Sequence, residues 1–286
     1  MQGKICLVTG ANSGIGKATA LGLAQLGATV VMVCRDRARG EAAQSEIKAK
    51  SGNDAIDLLL ADLASQQSIR QLAEVFKQRY SQLHVLINNA GVYNLTKRET
   101  VDGLEMMFAV NHLAPFLLTN LLLDVIKASA PARIINVSSR SHEAGYINLE
   151  DLQSEKHYRP IRTYGQSKLA MVLFTYELAR RLQGTGVTVN SLHPGFVATN
   201  IAQGNLPPVA RTAAKVILSI FGTSSEEGAK TSIYLASSPD VAGITGKYFV
   251  KSVPKRSTPI SYDESLQQRL WEESARLVHL PVNAEA

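Results

Sequence analysis

The chain has 286 residues, 45% of them hydrophobic and 19% charged, with a formal net charge of +6. That is one large domain or two small ones with ample material for a core. The positive balance suits anionic ligands. Its basic residues are scattered rather than gathered in a tract, so a solvated basic surface is expected and a nucleic-acid interface is not.

Met1-Gln2-Gly3 stands directly before the first strand, so neither a signal segment nor a myristoylation signature is expected. The longest apolar candidate for a membrane span, Phe116 to Ile126, is interrupted by Thr119, Asn120 and Asp124 and falls short of a bilayer. The expectation is a soluble, cytoplasmic protein.

Lys4-Ile5-Cys6-Leu7-Val8 reads as a short buried strand, followed by Thr9-Gly10-Ala11-Asn12-Ser13-Gly14-Ile15-Gly16. An amphipathic run from Lys17 to Leu26 then reads as a helix ending at Gly27. Strand, glycine-rich turn and helix N-terminus together make a phosphate-binding device: glycine permits tight turning and close backbone approach, and free N–H groups attract an anion. The spacing is Gly-x-x-x-Gly-x-Gly, over Gly10, Gly14 and Gly16, rather than Gly-x-Gly-x-x-Gly.

Strands are predicted at Ile5–Val8, Thr29–Val33, Ile56–Leu60, Val85–Asn88, Arg133–Val137, Val187–Leu192 and Lys247–Val250, with helical patterns such as Ile69–Tyr80 and Leu169–Leu182 between them. The alternation predicts an α/β fold: a single-domain, Rossmann-type doubly wound arrangement with a seven-stranded, mostly parallel sheet and helices on both faces. Right-handed crossovers gather the strand C-termini on one edge, which receives the Gly14 turn, Asn88, Ser139 and Pro194. No linker or repeat divides the chain, so residues 1–286 are read as one domain. Cys6 and Cys34 fall in predicted strands, as small core hydrophobes in a reducing compartment, and neither has metal-ligand spacing.

Tyr164-Gly165-Gln166-Ser167-Lys168 puts a phenol and an ammonium on one helix face at i and i+4. A neighbouring cation lowers a phenol's pKa from about 10, and a tyrosine tuned this way exchanges protons near neutral pH. Taken alone the pair is an ordinary exposed helical pair. It gains meaning from the company it keeps: Asp62-Leu63 after a third strand, Asn88-Asn89-Ala90-Gly91 after a fourth, Asn111 in a long helix, Ser138-Ser139 after a fifth, and Pro194-Gly195 after a sixth with Thr199 just beyond.

From about residue 4 to residue 250 this ordered set resembles the short-chain dehydrogenase/reductase family. The resemblance implies catalytic Asn111, Ser139, Tyr164 and Lys168. Ser139 holds the substrate oxygen, Tyr164 moves the proton, Lys168 tunes it and anchors the nicotinamide ribose, and Asn111 holds a water linking Lys168 to solvent. The family pattern selects Ser139 over Ser138. It also implies cofactor contacts from Gly10, Asn12, Ser13, Gly14, Ile15, Gly16, Asp62, Leu63, Asn89, Ala90, Gly91, Tyr164, Lys168, Pro194, Gly195, Val197 and Thr199, with Asp62 on the adenine edge. Asp62 as a helix cap and Asn88 as a structural strand-end residue stand beside these readings. No metal is implied.

Cofactor choice is read after the second strand, at Val33-Cys34-Arg35-Asp36-Arg37. An acidic residue there selects NAD, whereas arginine accommodates the 2′-phosphate of NADP. Where NAD-preferring members of the family commonly carry aspartate, Cys34 is neutral and Arg35 follows, so NADP(H) is expected over NAD(H), with Asp36 as a helix N-cap.

The interval from Ser139 to Tyr164 is about twice the family's usual spacing, resembling the subgroup of retinol dehydrogenases and related carbonyl reductases. His142 within it is read as a lone surface histidine. A segment of about 196–225 is expected to cover the active site, with Val209, Ala213, Val216, Ile217, Ile220 and Phe221 on an apolar face. That face packs on the core, greets a lipophilic carbonyl substrate, or touches a membrane surface. The extension of about 251–286 carries Leu266, Leu270, Trp271, Ala275 and Leu277 on an amphipathic helix covering the core or the substrate pocket. The resemblance implies a homodimer or homotetramer through the helices bearing Asn111 and Tyr164, or a monomer if the tail blocks that surface. The activity implied is interconversion of an aldehyde or ketone and an alcohol. A non-catalytic NADP(H)-binding sensor or scaffold, and a reductase of activated double bonds, are the alternatives.

Overall fold

The computed structural model of the chain describes residues 1–195 and 224–281. Val197 and Thr199, and nearly all of the 196–225 segment with its apolar face, lie outside the described residues.

Eight strands form one sheet in the order β3-β2-β1-β4-β5-β6-β7-β8. They are β1 (Ile5–Thr9), β2 (Thr29–Cys34), β3 (Ile56–Leu60), β4 (Val85–Asn88), β5 (Ala132–Val137), β6 (Val187–His193), β7 (Lys247–Val250) and β8 (Val253–Lys255). The first seven run parallel, as expected of apolar, β-branched runs buried on both faces. The eighth corrects the expected count of seven. Lys251 and Ser252 adopt φ of 50° and 62°, turning the chain back so that β8 pairs antiparallel with β7. Pro254 sits opposite Phe249 on the sheet's outer edge, where a missing N–H costs no ladder bond.

The helices α1 (Gly14–Gln25), α2 (Arg37–Ser51) and α3 (Gln66–Arg79) follow the first three strands, and α4 (Met106–Ala128) and α5 (Pro160–Arg181) the next two. Among the described residues, α6 (Ser225–Ser237) and α7 (Glu264–Leu277) follow. Asp36 caps α2 by accepting from Arg39 N at 2.9 Å, as the sequence predicts. By length and composition α4 could cross a membrane, contrary to the expectation drawn from Thr119, Asn120 and Asp124. Most of it is buried inside the protein, on the sheet face that also holds Phe76 and Leu86, so it is a core helix. Its second turn, Ala109–Leu113, widens to a π-helix around Asn111.

The tail helix packs on the core. Trp271 is buried, with its ring 4.8 Å from that of Phe116 on α4 and under the Arg181 guanidinium of α5 at 4.2 Å. Glu177, itself buried, holds Arg180 and Arg181, and Arg180 donates to Gln267 at 3.0 Å. Cys6 and Cys34 are buried free thiols, and burial pushes Cys6 up to about 12.

Candidate active site

The sheet's C-terminal edge gathers the predicted residues at two neighbouring places. At the first, β1 ends in Thr9 and the chain turns through Gly10 at φ +67° and Gly14 at φ +54°, a region open to glycine. Gly16 is needed for space: a Cβ there would lie 2.3 Å from the Gly10 carbonyl oxygen and 2.4 Å from Asn89 Nδ2. Ser13 precedes α1 with no side-chain capping bond, which leaves N–H groups of the first turn open to an anion. Asn89 Nδ2 donates to the Thr9 carbonyl at 2.8 Å, and the amides of Asn89 and Ala90 each donate to Thr9 Oγ1 at 3.0 Å. The Gly10–Gly16 turn and the Asn89-Ala90-Gly91 turn are thereby locked together.

Beside them, Arg35 extends from the end of β2 with 75% of its side chain exposed, and its guanidinium is 3.8 Å from Asp62 Oδ2. An ion pair that long and that wet contributes little, so the guanidinium is free to meet a stronger anion. Asp62 accepts from Ala64 N at 3.0 Å, shaping the turn after β3, while Ser65 and not Asp62 caps α3. Asn88 is buried and structural: its amide donates to Thr119 Oγ1 at 3.1 Å and to Asn136 Oδ1 at 2.8 Å, and Asn136 donates on to Thr175.

The second place joins β5 to α5. Ser139 follows β5 in an extended conformation and caps a tight turn, Arg140–Ala144. Gly145 lets that turn rest on α5, because a Cβ there would lie 2.5 Å from the Gly165 carbonyl. Ser139 lies beside Tyr164 and opposes the rise of its pKa, with its Oγ donating to Ser141 Oγ at 3.2 Å, while Ser138 faces away and donates to the Lys168 carbonyl at 2.8 Å. Lys168 is buried, with Nζ donating to the Val137 carbonyl at 3.1 Å and lying 5.8 Å from the Tyr164 ring centroid. Asn111 is fully buried and directly engaged: it accepts from Val92 N at 2.7 Å and donates to Val92 O and Ser167 Oγ, each at 3.0 Å. These bonds fix the strand-end loop that carries Tyr93, whose ring meets Tyr164 edge-on at 5.3 Å. At the neighbouring end of β6, Gly195 takes φ +88° and its amide donates to His193 Nδ1 at 3.0 Å.

The charges differ from the sequence expectation. Although part of Tyr164 is exposed, its hydroxyl is enclosed, and burial pushes the phenol up against the opposing effect of Ser139. Burial pulls Lys168 down to about 8. The lysine therefore loses its proton before the phenol does, and its cation is absent when Tyr164 titrates. Desolvation outweighs the pairing read from spacing alone.

A second correction concerns His142. It is 0% exposed rather than a surface residue, with Nδ1 2.8 Å from the Ser139 carbonyl. Neither it nor Tyr93 or Gly145 was visible as a site neighbour, because each acts through a contact that sequence spacing does not encode. Among the described residues no group of three or more His, Cys, Asp or Glu side chains could hold a metal. A groove of about 520 Å³ lined by Phe116, Leu123, Trp271 and Leu280 includes none of the candidate residues.

The glycine turn, its uncapped helix and the locked Asn89 turn fit a dinucleotide, since close-packed glycines and open helix N–H groups suit a pyrophosphate. Residues 4–208 match the family model described as short chain dehydrogenase. Retinol dehydrogenase 14 of Mus musculus is 48% identical, over 97% of this chain and 86% of its own length. Retinol dehydrogenase 13 of Homo sapiens is 47% identical, over 98% and 86%. A solved structure of an uncharacterized protein from Mycobacterium paratuberculosis superposes with a TM-score of 0.79 at 33% identity, covering 98% of this chain and 95% of that one. The RhlG/NADP active-site complex of Pseudomonas aeruginosa gives 0.68 at 28%, covering 87% and 94%. Fold, turn geometry and these likenesses agree, and the chain belongs to the short-chain dehydrogenase/reductase family, whose nicotinamide-dependent oxidoreductases act on alcohol and carbonyl groups.

Proposed function

We propose that this protein is an NADP(H)-dependent reductase of lipophilic aldehydes or ketones, working through Ser139, Tyr164 and Lys168. The observation that carries the reading is geometric: Ser139, Tyr164 and the buried Lys168 meet at one corner of the sheet's C-terminal edge. With Lys168 brought to about 8 and Tyr164 held above its ordinary value, both side chains are protonated at neutral pH. A neutral phenol beside a serine hydroxyl is a proton donor, the form that carbonyl reduction needs. The bound nicotinamide supplies the hydride in that direction. Ser139 hydrogen-bonds the substrate oxygen and sets its distance from Tyr164. Tyr164 delivers the proton as negative charge develops on that oxygen, and the Lys168 cation stabilises the charge left behind. Asn111 holds Val92, and with it the Tyr93 wall of the site, in register with Ser167 on the catalytic helix.

Gly10, Asn12, Ser13, Gly14, Ile15 and Gly16 receive the pyrophosphate, and Asn89, Ala90 and Gly91 line the opposite wall. Arg35 supports the choice of NADP(H), because its loosely engaged guanidinium presents a fork of donors to a 2′-phosphate. The lipophilic substrate class is supported by the similarity to proteins named as retinol dehydrogenases. The test follows NADPH absorbance with all-trans-retinal, a medium-chain alkenal and benzaldehyde, with NADH as control. Turnover on retinal, weak with NADH and reduced by about 10²–10⁴-fold in Tyr164→Phe, is expected. Silence across the panel despite tight NADPH binding overturns the reading in favour of a non-catalytic sensor.

A further inference from the structure

We propose that His142 is a positioning residue that sets Ser139 for catalysis and ties it to the chain beyond β7; this rests on the reading of Ser139 given above. His142 sits in the tight turn that Ser139 caps, and it holds the serine's carbonyl twice. Its backbone N–H donates to Ser139 O at 3.1 Å, and its ring Nδ1 lies 2.8 Å from the same oxygen. A carbonyl only accepts, so Nδ1 carries the proton. The other ring nitrogen is 3.4 Å from the amide of Thr258, which only donates, so Nε2 presents its lone pair. One tautomer satisfies both sides.

The ring is also clamped laterally. Tyr248 on β7 lies with its ring centroid 4.7 Å away and its hydroxyl 3.3 Å from Nδ1. Two bonds from one residue to the Ser139 carbonyl restrain ψ of Ser139, the rotation that would otherwise swing the serine against Tyr164. Serine and histidine are three positions apart, whereas Tyr248 and Thr258 come from more than a hundred residues further on. His142 is thus the rigid link by which a distant segment braces the catalytic hydroxyl.

Among the described residues the titratable and charged neighbours are Glu143 and Arg140 on the same turn, His193 on β6 and Tyr248 on β7. Burial pulls His142 below its ordinary value, opposed by the Ser139 carbonyl and Glu143. Protonation in acid places an N–H on Nε2 facing the Thr258 N–H, so the brace fails as pH falls through the lowered value.

The test compares His142→Asn, whose amide N–H can stand where Nδ1–H stands, with His142→Gln, whose amide reaches the Nε2 side, and with His142→Leu. NADPH reduction of the best aldehyde, NADPH affinity by fluorescence and kcat against pH are measured for each, alongside Ser139→Ala and the double variant Ser139→Ala/His142→Leu. His142→Asn is expected to keep kcat within about 3-fold, while His142→Gln and His142→Leu lose about 10–100-fold with NADPH affinity unchanged. The acid limb of the wild-type profile should vanish in His142→Asn. Adding His142→Leu to Ser139→Ala should cost nothing further, since a brace on an absent hydroxyl has no effect. Equal Asn and Gln variants, a wild-type rate in His142→Leu, or additive losses in the double variant each overturn the proposal. ¹⁵N-histidine spectra of the wild-type protein test it without turnover: an Nε2–H tautomer overturns it even if no carbonyl is reduced, a result that by itself sinks only the proposed function.

Discussion

The cofactor turn and the catalytic corner are built in opposite ways. The turn from Gly10 to Gly16 is backbone wrapped closely on backbone, and its critical contacts lie within a few residues or run to the ends of the adjacent strands, Val33 and the Asn89-Ala90 turn. The catalytic corner is side chain on side chain: Ser139 against Tyr164, Lys168 under Val137, and His142 clamped by Tyr248 and Thr258. A device made of backbone is spoiled by adding atoms. One made of side chains is spoiled by removing them.

Removal at the catalytic corner gives the largest expected effect, and one with two signs. Lys168→Met should lower kcat for carbonyl reduction by about 10³-fold. Yet the same change should stabilise the fold. The folded pKa of Lys168, about 8, lies below its ordinary value of 10.5. Burial of the cation therefore costs stability below pH 8, and that cost fades as pH rises from about 8 toward the unfolded value. The penalty is on the order of 3 kcal/mol, reduced by about 1 for the lost bond to Val137. A melting temperature at pH 7 a few degrees above wild type, with the gap closing near pH 10, is the expected result. An inactive but less stable variant would mean that the lysine earns its place structurally. Wild-type reductase activity should likewise decline as pH rises through about 8.

Addition at the cofactor turn comes next. Gly16→Ala drives a Cβ into the Gly10 carbonyl, a backbone atom that cannot step aside, and is expected to weaken NADPH binding by about 100-fold or more. Gly22→Ala is the control: its Cβ would meet Ile233 Cδ1 at 2.4 Å, the tip of a flexible side chain, and α1 gains about 1 kcal/mol of helix propensity. Titration of both variants with NADPH should separate them sharply. Equal behaviour would show that the turn is looser than its contacts imply.

That contrast also explains what could be read from the sequence. All seven parallel strands are predicted to within one residue at either end, because continuous apolar runs between turn residues are a local signal. The glycine turn is legible for the same reason, and so are Ser139, Tyr164 and Lys168 once their order is seen. β8 is not, since three residues around Pro254 carry no alternation and depend on the turn at Lys251 and Ser252. The burial of His142 is not legible either, because what encloses it comes from β7 and the segment after it. The expected lowering of Tyr164 by Lys168 failed for a related reason: spacing places two groups side by side but does not report how dry the place is.

A smaller effect sharpens the comparison at the exit from β2, where side chains read the cofactor over a backbone cradle. Arg35→Ala should lower the preference for NADPH over NADH by about 10-fold, seen in kcat/KM with each cofactor, and leave melting unchanged because the side chain is largely exposed. An unaltered ratio would move the phosphate contact to Arg37 or Arg39.

The smallest effect separates two roles for the neighbouring acid. Asp36 accepts from Arg39 N, so Asp36→Ala removes an N-cap and should cost about 1 kcal/mol of stability. Asp36→Asn keeps an acceptor oxygen at the same place and should melt close to wild type. Both variants remove one negative charge from beside Arg35, Arg37 and Arg39, so both should raise affinity for NADPH slightly and leave NADH unchanged. If Asp36 instead held the ribose hydroxyls, the two substitutions would weaken NADH while stability stayed level. The cap predicts the opposite pairing: stability tracks the acceptor oxygen, and cofactor preference tracks the charge. Melting curves and cofactor titrations on the same two variants therefore decide whether this residue serves the helix or the ligand.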